Sequence, residues 1–132
     1  LRAGLGMVDA LLTLFPKANV GHMGMERDEQ TYIPTDYYFK LPPSSENSIY
    51  FVLDPMLATG GSVISAIEKI KDMGIKNIRF LSIISAPEGV IALQNSHPDV
   101  AIYTGTLDEK LNEKKYIIPG LGDAGDRLYG TE

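Results

Sequence analysis

Apolar residues come in short bursts with two different periods. Ile49 to Leu53 form an unbroken apolar run between the polar stretch 42–48 and Asp54. Rich in β-branched and aromatic residues, this run predicts a central strand buried on both faces of a parallel sheet. From Ser62 to Met73 the period changes. Val63, Ala66, Ile67, Ile70 and Met73 recur at helical spacing, and Gly74 follows as a capping glycine. Ile78 to Ile84 predicts the next strand, Pro87 to Gln94 a short helix with Pro87 in its first turn, and Val100 to Tyr103 another strand. Strand, helix, strand, helix, strand implies right-handed crossovers and a parallel sheet.

The flanks are less regular. Met7 or Val8, Leu11, Leu12 and Phe15 place a helix over Gly4 to Phe15, stopped by Pro16. Val20 to Met25 is a candidate strand weakened by Gly21 and Gly24, and Glu26 to Glu29 is a charged turn. Tyr32 to Leu41 is aromatic and β-prone, but Pro34 argues for an edge strand or flap. Near the end, Tyr116-Ile117-Ile118 is a brief apolar run. The segment from Pro119 to Arg127 then holds three glycines and two aspartates in nine residues, which predicts a long irregular loop of functional character.

The chemistry concentrates where the first apolar run ends. Asp54 closes it, and Thr59-Gly60-Gly61-Ser62 leads into the predicted helix. In open α/β sheets ligands bind at the carboxyl ends of the strands. Glycines allow close backbone approach, and a helix start offers N–H groups and positive potential to an anion. The stretch therefore reads as a phosphate cradle beside an acid. It also fits an ordinary turn in which Asp54 and Ser62 only cap a helix. It lacks the Gly-Lys-Ser/Thr of a Walker loop. Gly120, Gly122 and Gly125 match GxGxxG, but no second strand can follow so near the end of the chain, so the match is not a dinucleotide site.

Arg2 and Arg27 are the candidate anion clamps, because guanidinium forks pair well with phosphate oxygens. Taken alone, each is more often a solvated surface arginine. His22 and His97 lack metal-ligand spacing and read as structural or surface residues. Asp123 and Asp126 could form a carboxylate pair or serve turn geometry.

Composition narrows the partners. The 132 residues carry a net charge of −5, which argues against a general nucleic-acid surface. Without cysteine there are neither disulfides nor thiolate metal sites. No apolar run approaches a membrane span. The length suits a single domain over 1–132. The opening Leu1-Arg2-Ala3-Gly4 has no initiator Met and reads as a loop with nothing before it, so the expectation is a C-terminal piece of a longer protein.

These residues also carry a resemblance. The stretch from Val52 to Ser62 resembles the phosphoribosyl-pyrophosphate (PRPP) loop of uracil phosphoribosyltransferases, with Pro55 where other phosphoribosyltransferases carry a second acid. The stretch from Tyr116 to Arg127 resembles that family's uracil-binding segment, and Tyr129-Gly130-Thr131 its C-terminus. Leu1 to Gly4 is similar to its pyrophosphate loop, and Met25-Glu26-Arg27 carries the second arginine.

The resemblance implies a type I-like phosphoribosyltransferase fold, α/β, with a parallel sheet flanked by helices and a β flap. It implies transfer of the phosphoribosyl group of PRPP to uracil, giving UMP and pyrophosphate. Asp54, Pro55, Met56, Leu57, Ala58, Thr59, Gly60, Gly61 and Ser62 would bind PRPP together with Arg2, Arg27 and Asp123. Ile117, Gly122, Asp123 and Ala124 would bind uracil. Asp54, Asp123 and Arg27 would carry the catalysis. Mg2+ would arrive with PRPP and have no direct protein ligand. A cytoplasmic homo-oligomer, with a nucleotide effector such as GTP, is the further implication, without nucleic-acid or membrane partners. A non-catalytic nucleotide- or PRPP-binding regulatory module is the alternative. The missing N-terminal portion implies that this piece alone is aggregation-prone or inactive.

Overall fold

The computed structural model describes residues 2–27, 34–43, 45 and 47–131, apart from the side chains of residues 26, 27 and 34–36. The elements in chain order are α1 (Leu5–Leu14), β1 (His22–Arg27), β2 (Pro34–Lys40), β3 (Tyr50–Leu53), β4 (Met56–Leu57), α2 (Gly61–Asp72), β5 (Ile78–Ser85), α3 (Pro87–Ser96), β6 (Ala101–Leu107), β7 (Lys110–Leu111), β8 (Ile117–Ile118) and α4 (Ala124–Tyr129).

The parallel sheet is built on β5. On one side β3 pairs with its first half and β4 with its end; on the other side β6 runs along it. The central strand is therefore Ile78–Ser85, which corrects the expectation for the run from Ile49. Among the described residues β3 pairs with β5 alone, its residues are only half-buried, and Ile49 lies outside it, 51% exposed. An apolar run shows that a strand is hydrophobic on both faces, but not how many neighbours it finds.

Alternation along β5 buries Ile78, Phe80 and Ser82, then slips: Ser85 is buried and Ile83 is exposed. There the N–H groups of Ile83 and Ile84 both donate to the Pro55 carbonyl, at 3.0 Å each, with the register to β3, β4 and β6 unchanged. On the covered face, Val63, Ile67 and Ile70 of α2 and Leu93 of α3 enclose Phe80, Ile78 and Leu57. Tyr103 and Ile83, directed away from that core, are more than half exposed.

Two smaller sheets flank this body. β1 and β2 form an antiparallel hairpin, the flap expected from the aromatic segment; Tyr32 and Ile33 lie outside the described residues. β7 and β8 form a second antiparallel pair. α1 buries no residue fully, and its C-cap Phe15 stacks on Phe51 of β3, with centroids 5.5 Å apart.

Candidate active site

The sheet delivers Asp54 at the carboxyl end of β3. Its N–H extends the ladder by donating to Leu81 O at 3.2 Å, and its Oδ1 accepts from Met56 N at 3.2 Å. Pro55 has no donor to contribute, and its carbonyl accepts from both Ile83 N and Ile84 N of β5. The chain then rejoins β5 as β4, a strand where the sequence suggests only loop. Gly60 adopts φ +86° and forms the N-cap of α2 with no side-chain cap bond. This left-handed turn needs glycine. Ile64 N is bonded to Gly60 O at 2.9 Å, so the helix begins at Gly61 and turns its first N–H groups outward beside Thr59 and Ser62.

The first turn of α3 joins the two halves of the site. Gly89 packs so closely on the Leu57 and Ala58 carbonyls that a side chain there would strike them. One residue earlier, Glu88 accepts from Leu111 N at 3.0 Å and so pins β7. That N–H donor, more than any other group, holds the Glu88 carboxyl below its ordinary range. Asp108 N donates to Ser85 O at the end of β5, and the Asp108 carboxylate accepts from Gly120 N at 2.8 Å. The C-terminal glycine segment is thus tied to the same sheet end as Asp54.

Part of that segment is a helix. Asp123 caps α4, its Oδ1 accepting from Asp126 N at 2.8 Å. The expectation of an irregular loop holds for Pro119 to Gly122 and fails beyond it, because six residues are too few for a readable helical period. The three glycines do different work. At Gly120 a side chain would collide with the Ile117 carbonyl. Gly122 has φ +79°, and a side chain there would enter open space. At Gly125 a Cβ would lie 3.0 Å from Nη2 of Arg2. Ile117 is buried in β8, while Gly122 and Asp123 are exposed.

Arg2 lies against α4. Its Nη2 donates to Asp126 Oδ1 at 2.8 Å and its Nη1 to Thr131 Oγ1 at 2.6 Å. The Asp126 carboxyl is held below its ordinary range first by the Thr131 hydroxyl and then by Arg2. Arg27 ends β1, and its side chain lies outside the described residues. Ala3 and Gly4 line a largely apolar groove of about 500 Å3 together with Leu53, Asp54 and Ser62. The arginine loop and the Asp54 turn therefore border one space. Among the described residues, no three acidic or histidine side chains gather to hold a metal ion.

His97 is structural. Its Nδ1 accepts from the Lys71 ammonium at 3.3 Å, so its Nε2–H donates to Ile64 O, also at 3.3 Å. The sequence offers no role for the Asp108 and Glu88 carboxylates, and it reads Asp126 only as a partner of Asp123 or as turn geometry, not as the partner of Arg2. Each acts on a backbone or side-chain group well away from it in sequence, and spacing carries no such signal.

Comparison with known proteins agrees with this arrangement. The model of the uracil phosphoribosyltransferase family matches residues 1–131. Uracil phosphoribosyltransferases from Streptococcus suis and Pediococcus pentosaceus are 62% and 61% identical over all 132 residues, which span 63% of each relative. The chain thus covers less than two thirds of their length. A solved structure of an Aquifex aeolicus protein superposes with a TM-score of 0.92 at 43% identity, over 98% of this chain and 62% of that one. With Asp54, the Gly60 turn and the C-terminal glycine segment gathered at one sheet end, and with these relatives matching from end to end of the sequence, the chain belongs to the uracil phosphoribosyltransferase family.

Proposed function

We propose that this chain carries the PRPP and uracil sites of an enzyme that makes UMP and pyrophosphate. The observation that carries the reading is the convergence of two separate segments, Asp54 to Ser62 and Ile117 to Ala124, on the carboxyl end of one sheet, in a chain of this family. A ring nitrogen of uracil bonds to the anomeric carbon of PRPP. The carbon–oxygen bond to pyrophosphate breaks, the leaving group keeps the electron pair, and the ring N–H proton is lost to solvent or to a carboxylate.

The residues suit that task. The start of α2 meets the ribose 5-phosphate with N–H groups and with the Thr59 and Ser62 hydroxyls. Asp54 accepts from ribose hydroxyls near the reacting carbon. Arg2 and Arg27 neutralise the leaving pyrophosphate. Backbone groups of Ile117, Gly122 and Ala124 read the uracil edge, with Asp123 beside the base. No covalent nucleophile is required, because positioning, charge neutralisation and exclusion of water supply the rate. The β1–β2 hairpin is the flap that closes over PRPP.

Mg2+ enters this proposal as the counter-ion of the diphosphate, carried in with PRPP. No step is routed through it. Among the described residues no helix is long and apolar enough to cross a membrane. Action in the cytoplasm, as a homo-oligomer answering to a nucleotide such as GTP, completes the proposal.

The test incubates the protein with PRPP, Mg2+ and each of uracil, orotate, hypoxanthine and adenine. It is assayed as the 132-residue chain and joined to the N-terminal portion of the Streptococcus suis relative. UMP from uracil alone is expected of the joined form. Product from another base, or binding of both substrates without product, would overturn the proposal.

A further inference from the structure

Arg2 and α4 meet across almost the whole chain, and their contact is a closed unit. Asp126 Oδ1 accepts from Arg2 Nη2 at 2.8 Å and from the Thr131 hydroxyl at 2.7 Å, and Thr131 Oγ1 in turn accepts from Arg2 Nη1 at 2.6 Å. The Tyr129 hydroxyl donates to Arg2 O at 3.0 Å, and its ring lies 6.0 Å from the guanidinium carbon. The guanidinium lies against Gly125, where a Cβ would be 3.2 Å from Nε and 3.0 Å from Nη2.

A guanidinium has five N–H donors in a rigid fork. Here one is spent on Asp126 of α4 and one on Thr131 just beyond it, which fixes the plane, and the described contacts use none of the other donors. An arginine that must meet pyrophosphate in one orientation gains by losing its rotamer freedom before the ligand arrives. Asp123 caps α4, and Ala124, its first residue, closes the segment proposed to read uracil. The same short helix therefore borders the base site and holds an arginine of the pyrophosphate site.

We infer that Gly125, Asp126 and Thr131 are positioning residues that orient Arg2 for the pyrophosphate group, which makes α4 the mechanical link between the two substrate sites. The inference rests on the proposed role of Arg2 as an anion clamp. It assigns Gly125 a purpose that the glycine spacing alone does not suggest, which is to leave room for a guanidinium.

The test measures binding of inorganic pyrophosphate by calorimetry, together with KM for PRPP and for uracil, in both forms of the protein described above. Asp126→Ala and Thr131→Val should each weaken pyrophosphate by roughly five- to tenfold, the effect of one lost charge-assisted or neutral hydrogen bond. KM for PRPP should rise more than KM for uracil. Asp126→Asn keeps an acceptor and should recover part of the loss. Gly125→Ala should displace the guanidinium and act in the same direction. In protein labelled with 15N-arginine, solvent exchange of the Arg2 Nε–H should quicken in Asp126→Ala, a readout that a purely structural effect elsewhere would not move. Adding Asp126→Ala to Arg2→Ala should cost nothing further.

Unchanged or tighter pyrophosphate binding in folded Asp126→Ala, with Arg2→Ala clearly impaired, rejects the positioning role alone. Tighter binding would mean that Asp126 sequesters Arg2. Unchanged binding in Arg2→Ala rejects the anion role of Arg2 and the inference with it.

Discussion

In the proposed function Asp54 has two jobs on one carboxylate. Its Oδ1 accepts from Met56 N, a turn contact that asparagine can preserve. Asp54→Asn should therefore leave thermal stability almost unchanged, within about 0.5 kcal/mol as for substitutions that keep their contacts. It should lower kcat/KM for PRPP by about tenfold or more through lost charge-assisted bonds to ribose. Thermal melts and initial rates on the same samples check both. The glycines of the C-terminal segment separate in the same way. Gly122→Ala meets no neighbour but forces a left-handed φ, so it should cost roughly 1 kcal/mol and weaken uracil binding. Gly120→Ala drives a methyl into the Ile117 carbonyl and should destabilise more than Gly122→Ala. Equal stability losses at the two positions would contradict the distinction.

Two polar staples tie stretches that lie far apart in the chain. One is the clasp between the Arg2 turn and α4. The other links the last turn of α2 to the connection before β6, where Lys71 donates to Asp99 Oδ1 at 2.6 Å. That hydrogen bond chiefly holds the Asp99 carboxyl below its ordinary range, as Thr131 and Arg2 do for Asp126. For a carboxylate depressed on folding, the stabilisation is present above the ordinary carboxylate pKa and is lost as pH falls through the lower, folded value. Stability should therefore decline on acidification into that range, and Asp99→Asn and Asp126→Asn should each flatten the decline. Denaturant melts between about pH 6 and pH 3, a window around the ordinary carboxylate pKa, check the slope. Both contacts are solvent-exposed in part, so the slopes should be small and should shrink further in salt.

Across the whole molecule, one face of the sheet is sealed by α2 and α3, while among the described residues β3 pairs with β5 alone and Tyr103 and Ile83 stand exposed on the other face. An unpaired edge beside exposed apolar surface invites pairing between chains. The 132-residue chain by itself should self-associate with rising concentration, and light scattering of the chain alone against the joined form would show it; a monodisperse monomer with full turnover would sink the expectation. Much of this architecture was legible in the chain. The helical period of α2, the β5 run and the resemblance of residues 52–62 and 116–127 to one family were local patterns, and local patterns survive folding. Three features were not legible. Which strand is central depends on pairing partners, and an apolar run looks the same at an edge. α4 is too short to show a period and is held by a cap and a clasp. Arg2 finds Asp126 from the far end of the chain, so no spacing rule connects them. Sequence alone marked residues 52–62 and 116–127 as the candidate segments for phosphate and base. Only the tertiary structure decided that α3 joins the two sites and α4 holds the arginine, because those contacts exist only once the sheet has brought the ends of the chain together.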